Sequence, residues 1–217
     1  MMTSLFSSFD PSTKFFHLNW MMMMSTLMIT PMNFWMKKSR MMMTKKKMEN
    51  KLLSEFYNST NQKEMMLLSM SMFFVITLNN LMGLFPYNFT STSHISISMS
   101  MSIPMWLTMM IYGWTKFTNS MFIHLLPTGT PKMIMPMMVL IETTGNLIRP
   151  ISLSVRLTAN MIAGHLLMTL LGNMTKLNLM MLMLPIQMML MTFETSISII
   201  QAYVFSTLIT LYSSDIP

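Results

Sequence analysis

Ionisable side chains occur inside a long apolar stretch, residues 133–171. Among the polar residues of the stretch are one acid, two arginines, an amide and an imidazole: Glu142, Arg149, Arg156, Asn160 and His165. A charge within a membrane-length segment is energetically costly, so it is rare and usually functional. The three charged residues recur every seven positions, and on an α-helix seven residues fall only about 20° short of two turns. The spacing therefore predicts one polar face, which Asn160 continues, whereas His165 points to the opposite side.

A second apolar stretch, residues 177–212, carries Gln187, Glu194 and Gln201 at the same seven-residue spacing. Glutamate and histidine side chains, together with water, can relay protons across a membrane because they bind and release a proton at moderate cost. Arginine keeps its proton in proteins, so Arg156 cannot act as a relay. A path with titratable groups at both ends and a permanent cation between them blocks direct proton flow. Protons could cross it only if another molecule carried them past Arg156.

Purely structural roles are alternatives for these residues. Arg149 lies one heptad from Glu142 and could form a packing salt bridge with it, which would leave Arg156 as the functional cation. Glu142, His165 and Glu194 could also be satisfied core groups. The four histidines lie in different segments, so the sequence predicts no metal site. The common nucleotide-binding and hydrolase motifs are absent from the sequence, so we expect no cofactor and no nucleotide chemistry in this chain alone.

The composition is that of a membrane protein that crosses the bilayer several times. The chain is 52% hydrophobic and only 10% charged, whereas soluble domains are about 25% charged. Cysteine is absent, which excludes disulfides and thiolate metal sites. The 37 methionines, which replace other aliphatic residues, are typical of an organellar gene with an invertebrate-like code. Many of the basic residues behind the net charge of +7 cluster beside an apolar span, so we expect them to set membrane orientation and not to bind nucleic acid.

Apolar runs predict one all-α membrane domain over residues 1–217. Its predicted elements are an amphipathic surface helix at 41–62 and five membrane helices at 18–35, 65–85, 100–116, 133–171 and 177–212. The basic block follows the first span and indicates an inner loop, which places the N-terminus outside and the C-terminus inside. The fourth span would be about 58 Å long as one helix, against a hydrocarbon core of about 30 Å. We therefore expect it to break near Gly145 or Pro150, or to lie strongly tilted.

Several sequence strings resemble one known family. The string SVRLTANMIAGHLLMTLLG at 154–172 resembles the signature helix of subunit a of F-type ATP synthases, the mitochondrially encoded stator subunit. PMMVLIETTGNLIRP precedes it, and IQAYVFSTLITLY at 200–212 also matches. Upstream, LFSSFDPST at 5–13 and NNLMGLFPYNFT at 79–90 fit as well. The resemblance covers nearly the whole chain, although the basic segment at 37–63 matches only in character.

The resemblance implies roles for individual residues. Arg156 matches the essential arginine that faces the ring of small proteolipid rotor subunits, and Asn160 lies one turn along on the same face. His165 and Glu194 match polar residues of the half-channel through which protons enter from the intermembrane space. Glu142 matches the acid of the half-channel through which protons leave toward the matrix.

Two further residues complete the comparison with the family. Gln201 matches the amide that the last helix packs near the arginine. Arg149 is a departure, because many relatives are not basic at this position, and its role stays open. The family fold also tilts the last two helices nearly into the membrane plane, which agrees with a run too long to stand upright.

The resemblance implies a non-catalytic subunit of a proton-transporting ATP synthase in the mitochondrial inner membrane. Its partners would be the proteolipid ring, other stator and membrane subunits, and the lipid bilayer. Two alternatives come from other functional classes. A self-contained channel or secondary transporter would need an unblocked path or an inverted repeat, and the sequence shows no internal repeat. A purely structural membrane anchor would leave both polar faces unexplained.

Overall fold

The computed structural model describes residue 6 and residues 9–12, 18–24, 39–60, 63–85, 88–126, 129–173 and 180–214. This part of the chain is helical and contains no strand. Its main helices are α1 Arg40–Thr60, α2 Lys63–Leu84, α3 Ile95–Lys116, α4 Thr118–His124, α5 Met135–Asn173 and α6 Met180–Ser214. Short 3-10 turns occur at Leu18–Met21 and Ser91–Ser93.

Four of these helices, α2, α3, α5 and α6, are long and apolar enough to cross a membrane. The chain is therefore an all-α polytopic membrane protein, as the sequence predicted. The predicted spans 65–85, 100–116 and 133–171 fall on α2, α3 and α5, and the span 177–212 falls on α6 from its start at Met180. Of the predicted first span, 18–35, only residues 18–24 are described, so that prediction lies mostly outside the described residues.

Helix α5 is continuous over 39 residues. Of the two predicted alternatives, a break near Gly145 or Pro150 is therefore wrong. Proline lacks the amide hydrogen that would bond the carbonyl four residues earlier. Membrane helices tolerate such an interruption where neighbouring groups surround it, and Pro150 is buried. The uninterrupted helix is about 58 Å long, which is nearly twice the thickness of the hydrocarbon core.

The membrane helices pack around one apolar core. Helix α2 lies along α6, α3 lies along α5, and α5 contacts α6. The buried side chains that join the four helices are Ile76, Met105, Met109, Leu153, Leu157, Ala202, Phe205 and Ile209. Because α5 contributes to this core from its middle, the polar residues on either side of Leu153 and Leu157 are held in fixed positions.

Helix α1 forms where the sequence predicted the amphipathic helix 41–62, and it packs against α2 and α6. Its Phe56 is fully buried, whereas Met48, eight residues earlier on a similar side of the helix, is exposed. The Tyr203 hydroxyl of α6 donates a hydrogen bond to Glu55 at 3.3 Å. One face of α1 is thus docked on the membrane helices, while the opposite face presents Arg40 and Lys47. That α1 lies on the membrane surface stays a prediction.

Candidate functional site

Arg156 lies on the exposed face of α5, directly between the buried core residues Leu153 and Leu157. No carboxylate in the described part of the chain forms an ion pair with it. Asn160, one turn further along α5, donates a hydrogen bond to the Oε1 atom of Gln201 at 3.0 Å. Gln201 of α6 thus contacts α5 one turn away from Arg156, and its role beside the arginine stays a prediction.

A cavity of about 240 Å³ lies beside this contact, and we call it the Glu194 cavity. Its polar lining residues are Asn80, Asn160, Glu194, Ser198 and Gln201. Glu194 is only 8% exposed and Gln201 only 6%. Neither carboxylate oxygen of Glu194 has a hydrogen-bond partner among the described residues, and the same holds for the Nε2 atom of Gln201. Buried polar groups are normally hydrogen-bonded, so these atoms are able to bond to a further group that enters the cavity.

Gly164 allows the Glu194 carboxyl to approach α5. A methyl group built on Gly164 would lie 3.1 Å from the Cδ atom and 3.2 Å from the Oε1 atom of Glu194. Any larger residue would therefore push the carboxyl away from α5. The sequence places Gly164 next to His165, but the spacing alone gave no sign that a glutamate from another helix fills this gap.

Asn80 of α2 is a residue of this cavity that the sequence analysis did not assign. Its side chain is fully buried, and its Nδ2 atom donates to the Ser198 carbonyl at 3.5 Å. The Oδ1 atom of Asn80 has no partner within the described structure. Two adjacent amides, Asn79 and Asn80, in an apolar span were the available signal, and a cavity between helices could not be placed from them.

His165 lies on another side of α5 and does not line the Glu194 cavity. Its imidazole is hydrogen-bonded to the backbone of Gly83 at the end of α2. Its Nε2 atom is buried and has no hydrogen-bond partner among the residues described. The ring of Phe9 meets the imidazole edge to face, with 6.0 Å between the ring centroids. His165 and Glu194 thus reach the Gly164 region from two different sides.

A second cavity, of about 80 Å³, lies toward the start of α5, and we call it the Glu142 cavity. Its polar and aromatic lining residues are Trp106, His124, Glu142, Asn146, Arg149 and Tyr212. Arg149 pairs with Glu142 at 3.9 Å, and their side chains are 35% and 45% exposed. The Arg149 guanidinium also lies 4.9 Å from the centroid of the Tyr212 ring. The salt bridge that the sequence offered as an alternative for Arg149 is therefore present.

Tyr212 and His124 were not among the predicted site residues. Tyr212 lies in the last turn of α6, eleven residues after Gln201, so it falls outside the seven-residue pattern of polar residues. His124 ends α4, a short helix between the predicted spans 100–116 and 133–171, where no helix was predicted. Both residues reach the Glu142 cavity through tertiary packing, which heptad spacing does not encode.

The two cavities lie on opposite sides of Arg156 along α5. Glu142 is 14 residues before Arg156, or about 21 Å along the helix axis. Gly164, against which Glu194 packs, is eight residues after it, or about 12 Å. Within the described residues, no cluster of His, Asp and Glu side chains could hold a metal ion. The site is therefore an exposed cation flanked by two cavities, each of which is lined in part by polar side chains.

The chain is similar to known proteins over its full length. A family model described as ATP synthase A chain matches residues 14–214. The protein named ATP synthase subunit a of Locusta migratoria is 48% identical, that of Aedes albopictus 47% and that of Drosophila melanogaster 46%. Each of these matches covers 100% of both chains.

Proposed function

Because the chain belongs to the ATP synthase A chain family, we propose that it is the stator subunit that carries protons through the membrane sector of an F-type ATP synthase. The observation that supports this function best is the exposed, unpaired side chain of Arg156 between two separate cavities in the described structure, each of which contains a glutamate and other polar side chains. A fixed cation prevents protons from passing directly between the cavities. A moving partner has to carry each proton past it.

We propose that this partner is a ring of small proteolipid subunits, each with one carboxyl group in the membrane. A carboxyl that faces lipid stays protonated, because an unpaired charge in hydrocarbon is expensive. At about 4 Å from Arg156, an ionised carboxylate gains on the order of 4 kcal/mol at an effective dielectric constant of about 20. The arginine therefore stabilises the charged form only where the ring passes the stator, and rotation links one cavity to the other.

The Glu194 cavity is proposed as the path by which protons reach the ring. His165, which lies next to Gly164 on another side of α5, is proposed to pass protons toward this cavity. The volume of the cavity leaves room for several water molecules, and its carboxyl and amide groups provide bonding partners for them. Asn160 lies at the exposed surface of α5 and also lines this cavity. It therefore connects the cavity with the side of α5 that carries Arg156. Gln201 holds Asn160 in place through their hydrogen bond.

The Glu142 cavity is proposed as the path by which protons leave. Glu142 is half-exposed and lies near the start of α5, so it can pass a proton to water at the inner surface. Arg149 keeps the carboxylate oriented through the ion pair. Each elementary charge that crosses the membrane supplies about 2.3 kcal/mol per 100 mV, and several crossings together drive ATP formation elsewhere in the complex.

The proposed setting is the mitochondrial inner membrane, with the N-terminus toward the intermembrane space and the C-terminus toward the matrix. The basic residues at 37–51 support an inner loop by the positive-inside rule. The insect relatives and the methionine-rich composition support an organellar gene. Since α5 is about 58 Å long, we propose that α5 and α6 lie strongly tilted along the rotor.

The test is to isolate the native complex through a tag on this chain and to reconstitute it in vesicles. We expect a small proteolipid with a membrane carboxyl and inhibitor-sensitive ATP hydrolysis to copurify. Arg156→Ala should lower the rate of coupled ATP synthesis about a thousandfold, because it removes about 4 kcal/mol of carboxylate stabilisation. The membrane sector should remain assembled. Arg156→Lys is the control that keeps the charge and loses the planar guanidinium.

Three outcomes would contradict the proposal. Coupled synthesis at the normal rate in the Arg156→Ala complex would remove the arginine from the mechanism. Purified chain that conducts protons without any partner would favour the channel or transporter alternative. Normal activity after all residues of both polar faces are changed to Leu or Ala would favour a structural anchor.

A further inference from the structure

The N-terminal segment reaches one of the residues assigned to proton uptake. Phe9 is half-buried, and its ring meets the His165 imidazole edge to face at a centroid distance of 6.0 Å. Residue 9 is more than 150 positions away from His165 in the sequence. The contact therefore exists only because the segment around Phe9 folds back onto α5. Edge-to-face packing favours one relative orientation of the two rings, so it restrains the plane of the imidazole.

The backbone of Phe9 is held independently of its side chain. The Nε2 atom of His94, at the end of the 3-10 turn, lies 3.1 Å from the Phe9 carbonyl oxygen. His94 itself packs among the rings of Trp20 and Phe89, at centroid distances of 5.2 and 5.3 Å. The Asn19 side chain donates to the carbonyl of Asp10 at 3.3 Å. Phe9 therefore sits on a segment that is tied down at two neighbouring residues.

The imidazole of His165 is restrained from two directions. The backbone of Gly83 holds one side of the ring, and Phe9 packs against it from the N-terminal segment. The Nε2 atom is left without a hydrogen-bond partner in the described structure. Gly83 also fits closely, because a methyl group there would lie 3.1 Å from Thr90 and 3.3 Å from Met161. Of these contacts, the one between the Phe9 and His165 rings can be removed by substituting Phe9, which lies outside the packed helices.

We propose that Phe9 is a positioning residue for proton uptake, which holds the His165 imidazole so that Nε2 remains available to exchange a proton. The inference rests on the proposed function, since it assumes that His165 lies on the uptake path. Phe9 exchanges no proton itself. It acts only through the orientation of His165.

The experiment compares assembled complexes that carry Phe9→Ala, Phe9→Tyr or Phe6→Ala. Phe6 is the matched control, because it belongs to the same segment and its side chain is 64% exposed. Its ring centroid lies 6.5 Å from that of Phe9. Proton conduction by the membrane sector is measured in vesicles. We expect Phe9→Ala to lower it about three- to tenfold, as for loss of one aromatic contact. Phe9→Tyr, which keeps the ring, and Phe6→Ala should both conduct at the wild-type rate.

A second readout does not depend on proton transport. The rate at which diethyl pyrocarbonate modifies His165 is followed by mass spectrometry of the intact complex. Phe9→Ala should raise that rate severalfold, whereas a general loss of assembly would instead lower the yield of complex. His94→Phe keeps an aromatic ring beside Trp20 but removes the Nε2 contact to Phe9, so we expect a smaller change in the same direction.

His165→Gln separates failure of the inference from failure of the proposed function. If His165→Gln slows conduction while Phe9→Ala changes neither conduction nor the modification rate, Phe9 is not a positioning residue. If His165→Gln leaves conduction unchanged, the proposed role of His165 in uptake is wrong, and the inference falls with it. Slower conduction in Phe6→Ala equal to that in Phe9→Ala would also overturn the inference, because the effect would belong to the segment and not to the ring contact.

Discussion

The two cavities on either side of Arg156 present their carboxyl groups in opposite ways. Glu194 is buried, packs against Gly164, and has no hydrogen-bond partner for either oxygen among the described residues. Glu142 is half-exposed and already pairs with Arg149. One glutamate is thus held by packing alone, and the other is held by a charge. The two glutamates should therefore respond differently to changes in the residues around them.

This difference in burial and pairing indicates at which cavity proton transport is more sensitive to substitution. Interactions between charges and dipoles are stronger in a buried, low-dielectric place than at a surface. A small displacement or the loss of one polar group should therefore have a large effect at the Glu194 cavity. At the Glu142 cavity, solvent screens the charges, and exposed ion pairs are typically worth about 0.2–1 kcal/mol. We expect substitutions around Glu194 to reduce proton transport more than matched substitutions around Glu142.

The largest difference is expected from removing each acid in turn. Glu194→Gln should slow proton conduction about a hundredfold, within the range of a lost acid–base group, without preventing assembly. Glu142→Gln should slow it only about tenfold, since water can reach this cavity and substitute in part. Proton flux in reconstituted vesicles, at equal amounts of assembled complex, gives both values. An equal loss in the two variants would show that burial does not distinguish the two ends.

A smaller effect is expected from changing the packing around Glu194 without touching its chemistry. Gly164→Ala places a methyl group 3.1 Å from the Glu194 carboxyl carbon, and overpacking of this kind costs about 1–3 kcal/mol. We expect about a tenfold loss of proton conduction. The helix itself should not be weakened, because alanine favours helix formation over glycine.

Gly172→Ala is the control for that substitution. Gly172 lies near the end of the same helix, and a methyl group there would meet nothing within 4 Å in the described structure. It should leave proton conduction and assembly at the wild-type level. If both glycine variants conducted equally well, the close approach of Glu194 to α5 would not matter for transport.

Proton transport is expected to be less sensitive to loss of the hydrogen bond between Asn160 and Gln201 than to loss of the buried acid Glu194. Gln201→Leu leaves the Asn160 amide without its acceptor at 3.0 Å, and a lost hydrogen bond of this kind costs about 0.5–1.5 kcal/mol. We expect a three- to tenfold reduction in ATP-driven proton pumping. Gln201→Glu, which keeps an acceptor oxygen at this position, should retain more pumping than Gln201→Leu. Greater loss in the Glu variant would indicate that an added charge matters more than the hydrogen bond.

The sequence predicted those parts of the site whose residues lie close together along the chain, and missed those that come from distant segments. Heptad spacing in two apolar stretches indicated Arg156, Glu194 and Gln201, because a helix repeats its own face locally. The residues that complete the cavities come from elsewhere in the fold. Asn80 and Tyr212 belong to α2 and to the last turn of α6, and only the packing of helices brings them to the site.

Spacing also placed some residues on the right helix without giving their neighbours. Glu142 and Arg149 were predicted on the face of Arg156, but they point into a cavity where they pair with each other. The contact of Phe9 with His165 had no local signal, since it depends on the N-terminal segment folding back. The continuity of α5 through Pro150 was likewise open, because local rules allow proline either to break a helix or to remain within one.

The smallest effect is expected at the Glu142 cavity, from loss of the contacts of Arg149. Arg149→Gln removes the ion pair to Glu142 and the contact with the Tyr212 ring at 4.9 Å. An exposed ion pair is worth about 0.2–1 kcal/mol and an exposed cation–π contact about 0.5–1 kcal/mol. Because solvent screens both contacts, we expect the lower ends of these ranges, about 0.7 kcal/mol together, and therefore about a threefold decrease in ATP synthesis. Tyr212→Leu removes only the aromatic ring and keeps the ion pair, so its free-energy effect on ATP synthesis should be about half of that of Arg149→Gln. High salt in the vesicle assay should narrow the difference between wild type and Arg149→Gln, because it screens the ion pair. A hundredfold loss in Arg149→Gln, equal to that of Glu194→Gln, would show that the cavity of paired charges is as sensitive as the buried one, and that Arg149 does more than orient Glu142.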